Sequence, residues 1–227
     1  MVTPRALPPL VRNPDAVVFD LDGTLVDTEP QWAAARFEIA REVGGELTEE
    51  HFHRFYGANT AQWGAAMAEI LGHPDPDEVA RRTIERLLQK YREGLAQIPA
   101  AVDAVRRAAA RGPVAIASGS PHIAIETILR TLGIEGLVQA AVSCDEVAGG
   151  KPLPDVYLEA CRRLGVDPAR TLAVEDSLAG ARSAKAAGMT VVLVPMPGAP
   201  SSEGAAEVAD VVLDSLASLR FDPPPGD

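Results

Sequence analysis

Two aspartates near the start of the chain are the first residues whose types and spacing indicate chemistry. In the stretch VVFDLDGTLVDTEP, Asp20 follows three apolar residues and Asp22 comes two positions later. Two carboxylates at the end of a buried strand repel one another and are costly unless a cation compensates them. A divalent cation that prefers oxygen ligands, most commonly Mg²⁺, would supply that compensation.

Further polar residues follow other apolar runs of the sequence. Ser118 lies in IASGS, Lys151 in AGGKPLPD, and Glu175 and Asp176 in LAVEDS. Each ends a predicted strand or lies in the loop after one, so a parallel sheet would gather them at one edge. A lysine and a hydroxyl that face carboxylates and a metal suit a phosphoryl group, because phosphoryl transfer depends on positioning and charge neutralisation.

The elements that must position these residues are predicted from short apolar, β-branched runs, each followed by turn residues and a helical pattern. The runs are residues 16–19, 114–117, 140–143, 171–174, 190–194 and 210–213. The helical patterns cover residues 100–110, 121–132, 155–164 and 179–187. Continuous apolar runs indicate strands buried on both faces, and strand–helix alternation implies right-handed crossovers. The predicted fold class is α/β, with a Rossmann-like, doubly wound parallel sheet as its core.

One segment interrupts this alternation. Residues 28–97 contain no strand candidate but do contain helical patterns, at residues 30–43, 49–56, 61–71 and 77–96. Seven of the ten aromatic residues fall in this segment, which indicates a core of its own. We therefore predict a helical cap domain at 28–98, inserted into a core domain made of 15–27 and 99–219. Residues 1–14 are predicted to be an irregular leader and 220–227 a disordered tail.

Composition restricts the class of protein. The net charge of −11 argues against a general nucleic-acid binder, which usually shows a basic face. No apolar run approaches the roughly 20 residues that span a bilayer. Cys144 and Cys161 fit no metal or disulfide spacing and are interpreted as reduced thiols. We predict a cytoplasmic location, no nucleic-acid or membrane partner, and a monomer.

Four motifs together resemble those of a known family. DLDGT at residues 20–24, Ser118, Lys151 in GGKPLPD and EDS at residues 175–177 are similar, in this order, to the motifs of the haloacid dehalogenase-like superfamily. Residues 28–98 resemble the helical cap of the subgroup that contains phosphoglycolate phosphatase and β-phosphoglucomutase. The resemblance implies that Asp20 is a nucleophile that forms an aspartyl phosphate and that Asp22 is the general acid and base. It also makes Lys151 catalytic, neutralising the phosphate and holding Asp20.

The same resemblance implies the binding residues. The expected phosphate ligands are Thr24, Ser118, Gly119 and Lys151. The expected Mg²⁺ ligands are Asp20, Asp22 through its backbone carbonyl, Asp176, and Glu175 directly or through water. Related proteins carry a substrate-specificity loop in the cap, which here maps to Gly57, Asn59 and Trp63. For Trp63, the alternative is a structural place in the core of the cap. Asp145 either reaches the metal through water or lies in a solvated turn. His122 either contacts the substrate or is a surface residue.

The leading hypothesis is a Mg²⁺-dependent phosphatase of small phosphorylated metabolites, such as sugar phosphates or phosphoglycolate-like acids. The presence of Asp22 argues against a true haloacid dehalogenase, because those enzymes resemble this fold but lack the second aspartate of the first motif. The alternatives are a β-phosphoglucomutase-like phosphomutase and, from another class, a catalytically silent binding protein. The turn FYGANTAQW has no lysine or arginine between Arg54 and Arg81, which favours a substrate with one phosphate.

Overall fold

A six-stranded parallel sheet forms the centre of the molecule, and the computed structural model describes residues 11, 13–55 and 57–222. The strands are β1 (Ala16–Phe19), β2 (Val26–Asp27), β3 (Ala96–Gln97), β4 (Val114–Ser118), β5 (Ala140–Ser143), β6 (Thr171–Glu175), β7 (Thr190–Leu193) and β8 (Val211–Val212). The order in the main sheet is β5-β4-β1-β6-β7-β8. The helices are α1 (Glu29–Glu42), α2 (Thr60–Leu71), α3 (Pro76–Glu93), α4 (Ala101–Ala109), α5 (His122–Leu132), α6 (Asp155–Leu164) and α7 (Leu178–Ala186).

Both faces of this sheet are buried, as the continuous apolar runs predicted. Along β1, Val17 and Phe19 pack into one apolar cluster, and Val18 packs into the cluster on the opposite face. All three side chains are at most 2% exposed. This alternation follows from the two-residue period of a strand, and it confirms the predicted doubly wound α/β fold.

Three helices, α1 to α3, lie between β2 and β3, and we call residues 28–98 the insert. Its interior is aromatic: Trp32 and Trp63 meet edge to face at 5.6 Å between ring centroids, and Trp63 and Tyr91 are each 2% exposed. The domain boundaries given above stay predictions. The leader and tail lie mostly outside the described residues.

Two details of the insert differ from the sequence prediction. The predicted helix at 49–56 is a 3₁₀ helix over Glu49–Arg54. The predicted helix at 77–96 ends at Glu93, because Gly94 adopts a positive φ of 148° that breaks the helix. Residues beyond it form β3, which pairs antiparallel with β2. Each of these strands has two residues, too few for a recognisable alternation in sequence.

Two predictions about the rest of the chain can be set beside the structure. Cys144 and Cys161 are both buried and form no disulfide. Within the described ranges, no helix combines the length and the apolar character that a membrane crossing needs.

Candidate active site

Three adjacent strands deliver the predicted residues to one edge of the sheet. Asp20 directly follows β1, Ser118 ends β4, and Glu175 ends β6. β1 lies between β4 and β6 and runs parallel to both, so the three carboxyl ends lie side by side. All three residues are at most 5% exposed. The topology therefore gathers chemistry from positions far apart in sequence.

Lys151 connects two of these strand ends. Its Nζ donates to Asp20 Oδ1 and to Glu175 Oε1, both at 2.6 Å, and its side chain is 4% exposed. Burial on its own would lower the pKa of Lys151, but the Asp20 and Glu175 carboxylates hold that pKa well above its usual value. Lys151 is therefore a fixed cation beside the predicted nucleophile.

Glu175 is held from several directions. Its Oε1 also accepts from the Tyr157 hydroxyl at 2.7 Å, and its Oε2 accepts from Ser177 Oγ at 3.0 Å. A Cβ at position 180 would lie 1.7 Å from Glu175 Oε1, so Gly180 is what leaves room for this carboxylate. Glu175 thus positions Lys151. Sequence reasoning missed Tyr157, since a tyrosine in DVYLEA reads as an ordinary buried helix residue.

Asp176 completes a buried acidic group. Asp20, Glu175 and Asp176 each offer a carboxylate oxygen, and these oxygens lie within 4.8 Å of one another. Burial raises the pKa of Asp20 to about 8 against the lowering effect of Lys151, and the neighbouring carboxylates add to the rise. Burial and then Glu175 raise the pKa of Asp176 well above its usual value. Crowded carboxylates of this kind fit a divalent cation, which removes the cost of their charge.

The loop that carries Asp20 and Asp22 approaches this group closely. Gly23 has a φ of +88°, and a Cβ at this position would lie 2.3 Å from Asp176 Oδ2. Glycine is required there for both reasons. In the same loop, the Thr24 hydroxyl is buried and has no hydrogen-bond partner within the described residues. A buried hydroxyl without a partner is costly, which fits a place for a ligand oxygen.

Asp22 has a different environment from Asp20. Its Oδ1 accepts from Thr28 Oγ1 at 2.6 Å, and its Oδ2 accepts from Ser118 Oγ at 2.9 Å and Ser120 Oγ at 2.8 Å. The predicted acid/base is thus oriented by hydroxyl groups and the predicted nucleophile by an ammonium. Ser118 Oγ also accepts from the amide of Ser120 at 2.9 Å, which shapes the loop around Gly119.

A cavity of about 860 Å³ opens between this edge of the sheet and the insert. Asp20, Asp22, Gly119, Lys151 and Asp176 line its sheet side. Of the predicted specificity residues, Gly57 and Trp63 line it as well. Asn59 is outside the lining within the described residues. It is the N-cap residue of α2, and its Oδ1 accepts from the amide of Gln62 at 2.9 Å. Two of the three predicted specificity residues therefore line the cavity, Gly57 from the turn before α2 and Trp63 from α2 itself.

That same turn is fastened to the sheet side of the molecule. Thr60 donates from its amide and its hydroxyl to the two carboxylate oxygens of Asp145, each at 2.6 Å. A Cβ on Gly57 would lie 2.9 Å from the Lys151 carbonyl oxygen. Asp145 therefore holds the insert, which neither of the two predicted alternatives anticipated. His122 contacts Glu146 at 2.9 Å on an exposed surface, consistent with its surface alternative.

Sequence reasoning missed several charged residues of the cavity wall, and Arg36 is the buried one among them. Arg36 is 5% exposed and lines the cavity from α1. Its Cζ lies over the rings of Trp32 at 4.7 Å, Phe55 at 4.8 Å, Phe52 at 5.6 Å and Trp63 at 5.8 Å from the centroids. The available signal was the i, i+4 spacing of Trp32 and Arg36, which places both on one face of a helix.

Comparison with known proteins identifies the family. The sequence profile of the haloacid dehalogenase-like hydrolases matches residues 14–188. Hexitol phosphatase B of Escherichia coli K12 is 32% identical over 212 residues, covering 90% of this chain and 93% of that protein. Fructose-1-phosphate phosphatase YqaB of the same organism is 32% identical over 177 residues, covering 78% of this chain and 94% of that protein.

Solved structures give the same result. A CbbY variant from Rhodobacter sphaeroides in complex with xylulose-(1,5)bisphosphate superposes with a TM-score of 0.78 at 30% identity, covering 90% of this chain and 96% of that one. A β-phosphoglucomutase from Clostridium difficile, at 21% identity and a TM-score of 0.78, covers 91% of this chain and 93% of that one and shows the shared fold. The predicted fold class and enzyme class are confirmed, and the chain belongs to the haloacid dehalogenase-like hydrolases.

Proposed function

We propose that the protein is a phosphatase of small phosphorylated metabolites, with sugar and sugar-alcohol phosphates as the favoured substrates. The observation that carries the proposal is the buried contact of Lys151 with Asp20 beside Asp176, open to a cavity large enough for a sugar phosphate. The relatives named hexitol phosphatase and fructose-1-phosphate phosphatase support the same substrate class.

In the proposed reaction, a carboxylate oxygen of Asp20 attacks phosphorus, and the bond from phosphorus to the alcohol oxygen breaks. Lys151 fixes the other oxygen of Asp20 and neutralises the charge of the phosphoryl group. Water then attacks the aspartyl phosphate, which releases inorganic phosphate and restores Asp20. Covalent catalysis divides one difficult step into two easier ones.

Asp22 handles the proton in both steps. It gives a proton to the leaving alcohol in the first step and removes one from water in the second. The hydroxyls of Thr28, Ser118 and Ser120 orient its carboxyl group for this exchange. Thr24 and Ser118, with the backbone at Gly119, would then bind phosphoryl oxygens.

A divalent cation, proposed to be Mg²⁺, would be held by Asp20, Asp176 and the backbone carbonyl of Asp22. When bound, it offsets the charges of the carboxylates and of the phosphoryl group. Glu175 belongs to the same acidic group, but its hydrogen bonds with Lys151 and Tyr157 favour a supporting role. The chain's own oxygen ligands suit a hard cation, and sulfur and nitrogen ligands are not part of this group.

A phosphate-release assay over a panel of sugar phosphates, sugar-alcohol phosphates and phosphoglycolate tests the proposal. We expect turnover that a chelator abolishes and Mg²⁺ restores. Asp20→Asn should abolish turnover, while Asp103→Asn, a matched change on the exposed face of α4, should keep it. The proposal fails if Asp20→Asn retains wild-type turnover, or if no ester in the panel is hydrolysed with Mg²⁺ present.

The phosphomutase alternative has one observation in its favour, since Arg36 supplies a cation that could hold a second phosphate inside the cavity. A mutase would isomerise a sugar phosphate only with a bisphosphate activator, and it would release little free phosphate. Measuring both products in one reaction separates the two activities. The monomeric state, the cytoplasmic location and the absence of a nucleic-acid partner stay predictions.

A further inference from the structure

Ser143 ends β5 and lies behind the wall of the cavity. Its side chain is fully buried, and it is outside the cavity lining within the described residues. In the parallel pairing of β4 with β5 its partner is Ser118, so it lies beside the strand end that carries a predicted phosphate ligand. A buried hydroxyl behind the wall cannot touch the substrate, and the reaction proposed above gives it no role. Its hydrogen bonds therefore decide what it can do.

Both hydrogen bonds of the Ser143 hydroxyl go to loops of the site. Its Oγ donates its single proton to the carbonyl oxygen of Ser120 at 2.7 Å and accepts from the amide of Asp145 at 3.1 Å. Within the described residues, no backbone amide donates to the Ser120 carbonyl, so Ser143 satisfies that group. Because a buried carbonyl without a donor is costly, this contact holds the loop at residues 118–120 against the end of β5.

The loop at residues 118–120 orients the proposed acid. Ser120 Oγ and Ser118 Oγ donate to Asp22 Oδ2 at 2.8 Å and 2.9 Å, and the amide of Ser120 donates to Ser118 Oγ at 2.9 Å. Two of the three hydroxyls that orient Asp22 thus belong to a loop whose carbonyl is fixed by Ser143. A displacement of Ser120 would lengthen or break its bond to Asp22, and a misplacement of about 1 Å at a reacting group can cost about 100-fold in rate.

The second hydrogen bond of Ser143 leads to the insert. Asp145 accepts two hydrogen bonds from Thr60, and its own amide donates to Ser143. One hydroxyl thus joins the loop that orients Asp22 to the segment that fastens the insert. The path from Thr60 to Asp22 consists of hydrogen bonds of 2.6 to 3.1 Å, and each of its two loops loses an anchor if the hydroxyl is removed.

We infer that Ser143 is a positioning residue for the proposed acid Asp22, acting through the backbone of Ser120. This inference rests on the proposed phosphatase function, which assigns to Asp22 the proton of the leaving alcohol. Ser143 makes no contact with the substrate; it keeps the Ser120 hydroxyl directed at Asp22. Removing the Ser143 hydroxyl should therefore impair protonation of the leaving group more than binding of the phosphoryl group.

Three variants isolate the Ser143 hydroxyl. Ser143→Ala removes both hydrogen bonds, and Ser143→Cys keeps a weak donor of similar size. Ser215→Ala is the matched control, because Ser215 also precedes a three-residue 3₁₀ helix and accepts from the amide two positions on, that of Ala217, at 3.1 Å. Ser215 has no bond to a loop of the site within the described residues. If Ser143→Ala does not fold by circular dichroism, Ser143→Cys is held to the same criteria.

The leaving group distinguishes a positioning role from a structural one. A sugar phosphate needs a proton on its departing alcohol, whereas 4-nitrophenyl phosphate releases a stable anion and needs little help from an acid. The probes are 4-nitrophenyl phosphate and glucitol 6-phosphate, or the best sugar phosphate of the panel if glucitol 6-phosphate is not hydrolysed. Ser143→Ala should lower the kcat/KM of the sugar ester, relative to that of the nitrophenyl ester, about 10-fold. Ser143→Cys should lower this ratio less, and Ser215→Ala should keep it. Asp22→Asn calibrates the ratio and should lower it most.

Hydrogen exchange tests the inference without turnover. Ser143→Ala should speed amide exchange about five-fold in peptides that cover residues 118–121, as expected when one buried hydrogen bond that holds the loop is lost. Ser215→Ala should leave this exchange unchanged. If no ester is hydrolysed, the phosphatase proposal fails, and the exchange rate still tests Ser143. The inference is overturned if exchange at 118–121 stays at the wild-type rate. It is also overturned if folded Ser143→Ala lowers kcat/KM for both esters equally, or for neither.

Discussion

Two charged clusters of similar composition lie in different surroundings in this molecule. At the edge of the sheet, Lys151 contacts Asp20 and Glu175 at 2.6 Å, and all three side chains are at most 8% exposed. On the surface of the insert, Glu38 contacts Lys90 at 2.6 Å, and the two side chains are 36% and 17% exposed. The contact distances are alike, but water has much better access to the pair on the insert than to the cluster at the sheet edge.

The direction of the carboxylate pKa values records this difference. In the insert, hydrogen bonds from Lys90 and then Arg86 lower the pKa of Glu38. At the sheet edge, burial raises the pKa of Asp20 to about 8 although Lys151 lies beside it. Paired charges in water are weakly coupled, whereas buried charges depend on their partners. Dehydration, and not the presence of ion pairs, thus marks the region where charge can do chemistry.

The largest effect should follow removal of the buried cation. Lys151→Met should lower kcat by about 10²- to 10³-fold or more, the range found when one preorganised charge-stabilising donor is lost. Lys185→Met is the matched control, because Lys185 pairs with Asp210 at 2.9 Å on the surface. Steady-state kinetics on both variants, with circular dichroism to check folding, tests the comparison. A folded Lys151→Met enzyme within a few-fold of wild type would contradict it.

A smaller decrease in kcat should follow when Glu175 loses one of its hydrogen-bond donors. Tyr157→Phe removes the hydroxyl that donates to Glu175 Oε1 and keeps the ring. Loss of one buried hydrogen bond of about 1 kcal/mol corresponds to roughly a five-fold change, and we expect a fall in kcat of that order. Tyr157 lies outside the cavity lining within the described residues, so KM should change little. Unchanged kcat, or an effect confined to KM, would mean that Glu175 needs no such support.

Removing the contact between the insert and the sheet side should have a still smaller effect on catalysis. Asp145→Ala removes both hydrogen bonds to Thr60. We expect kcat/KM for a sugar phosphate to fall about three-fold. This loss is smaller than that of a buried hydrogen bond to a charged group, because the Asp145–Thr60 pair is exposed. Glu146→Gln, at the next position, is the control. Combining Asp145→Ala with Thr60→Val should cost no more than Asp145→Ala alone, because Thr60→Val removes only the hydroxyl bond, which Asp145→Ala has already removed. Additive losses would show that the two residues act independently.

The smallest effect should come from the exposed cluster of the insert. Glu42 contacts Arg82 and Arg86, and hydrogen bonds from Arg86 and then Arg82 lower its pKa. A lowered pKa stabilises the folded state above the usual pKa of about 4.5, and this contribution is lost as pH falls through the folded-state value. Glu42→Gln should therefore lower Tm slightly at pH 7, and the decrease should be smaller in high salt. Below the folded-state pKa of Glu42, the substitution should leave Tm unchanged. The value of kcat should not change at pH 7. Thermal melts across pH 2–7 provide the measurement; a Tm loss that persists in strong acid would require another cause.

The sequence predicted which strand-end residues share one edge of the sheet, because Asp20, Ser118 and Glu175 each end or directly follow an apolar run. Parallel strands place Asp20, Ser118 and Glu175 at the same edge of the sheet, and the strand order β4-β1-β6 makes them neighbours. Residues that act from helix surfaces gave no such signal. Arg36, Tyr157 and the Thr60–Asp145 contact depend on how helices pack against the sheet edge, and packing is decided by tertiary contacts that local patterns do not encode.

The two-residue ribbon of β2 and β3 has a consequence for how this chain can be rebuilt. Val26 pairs with Gln97 and Asp27 with Ala96, so the chain leaves and returns at matched positions. An antiparallel pair of this kind can be closed by a two-residue turn. The residues between the two strands can therefore be exchanged as one segment, with the proposed nucleophile Asp20, Lys151 and the acidic group left in place. On the proposed function, grafting the corresponding helical segments of relatives onto this ribbon should change which alcohol is recognised and keep the same phosphoryl chemistry.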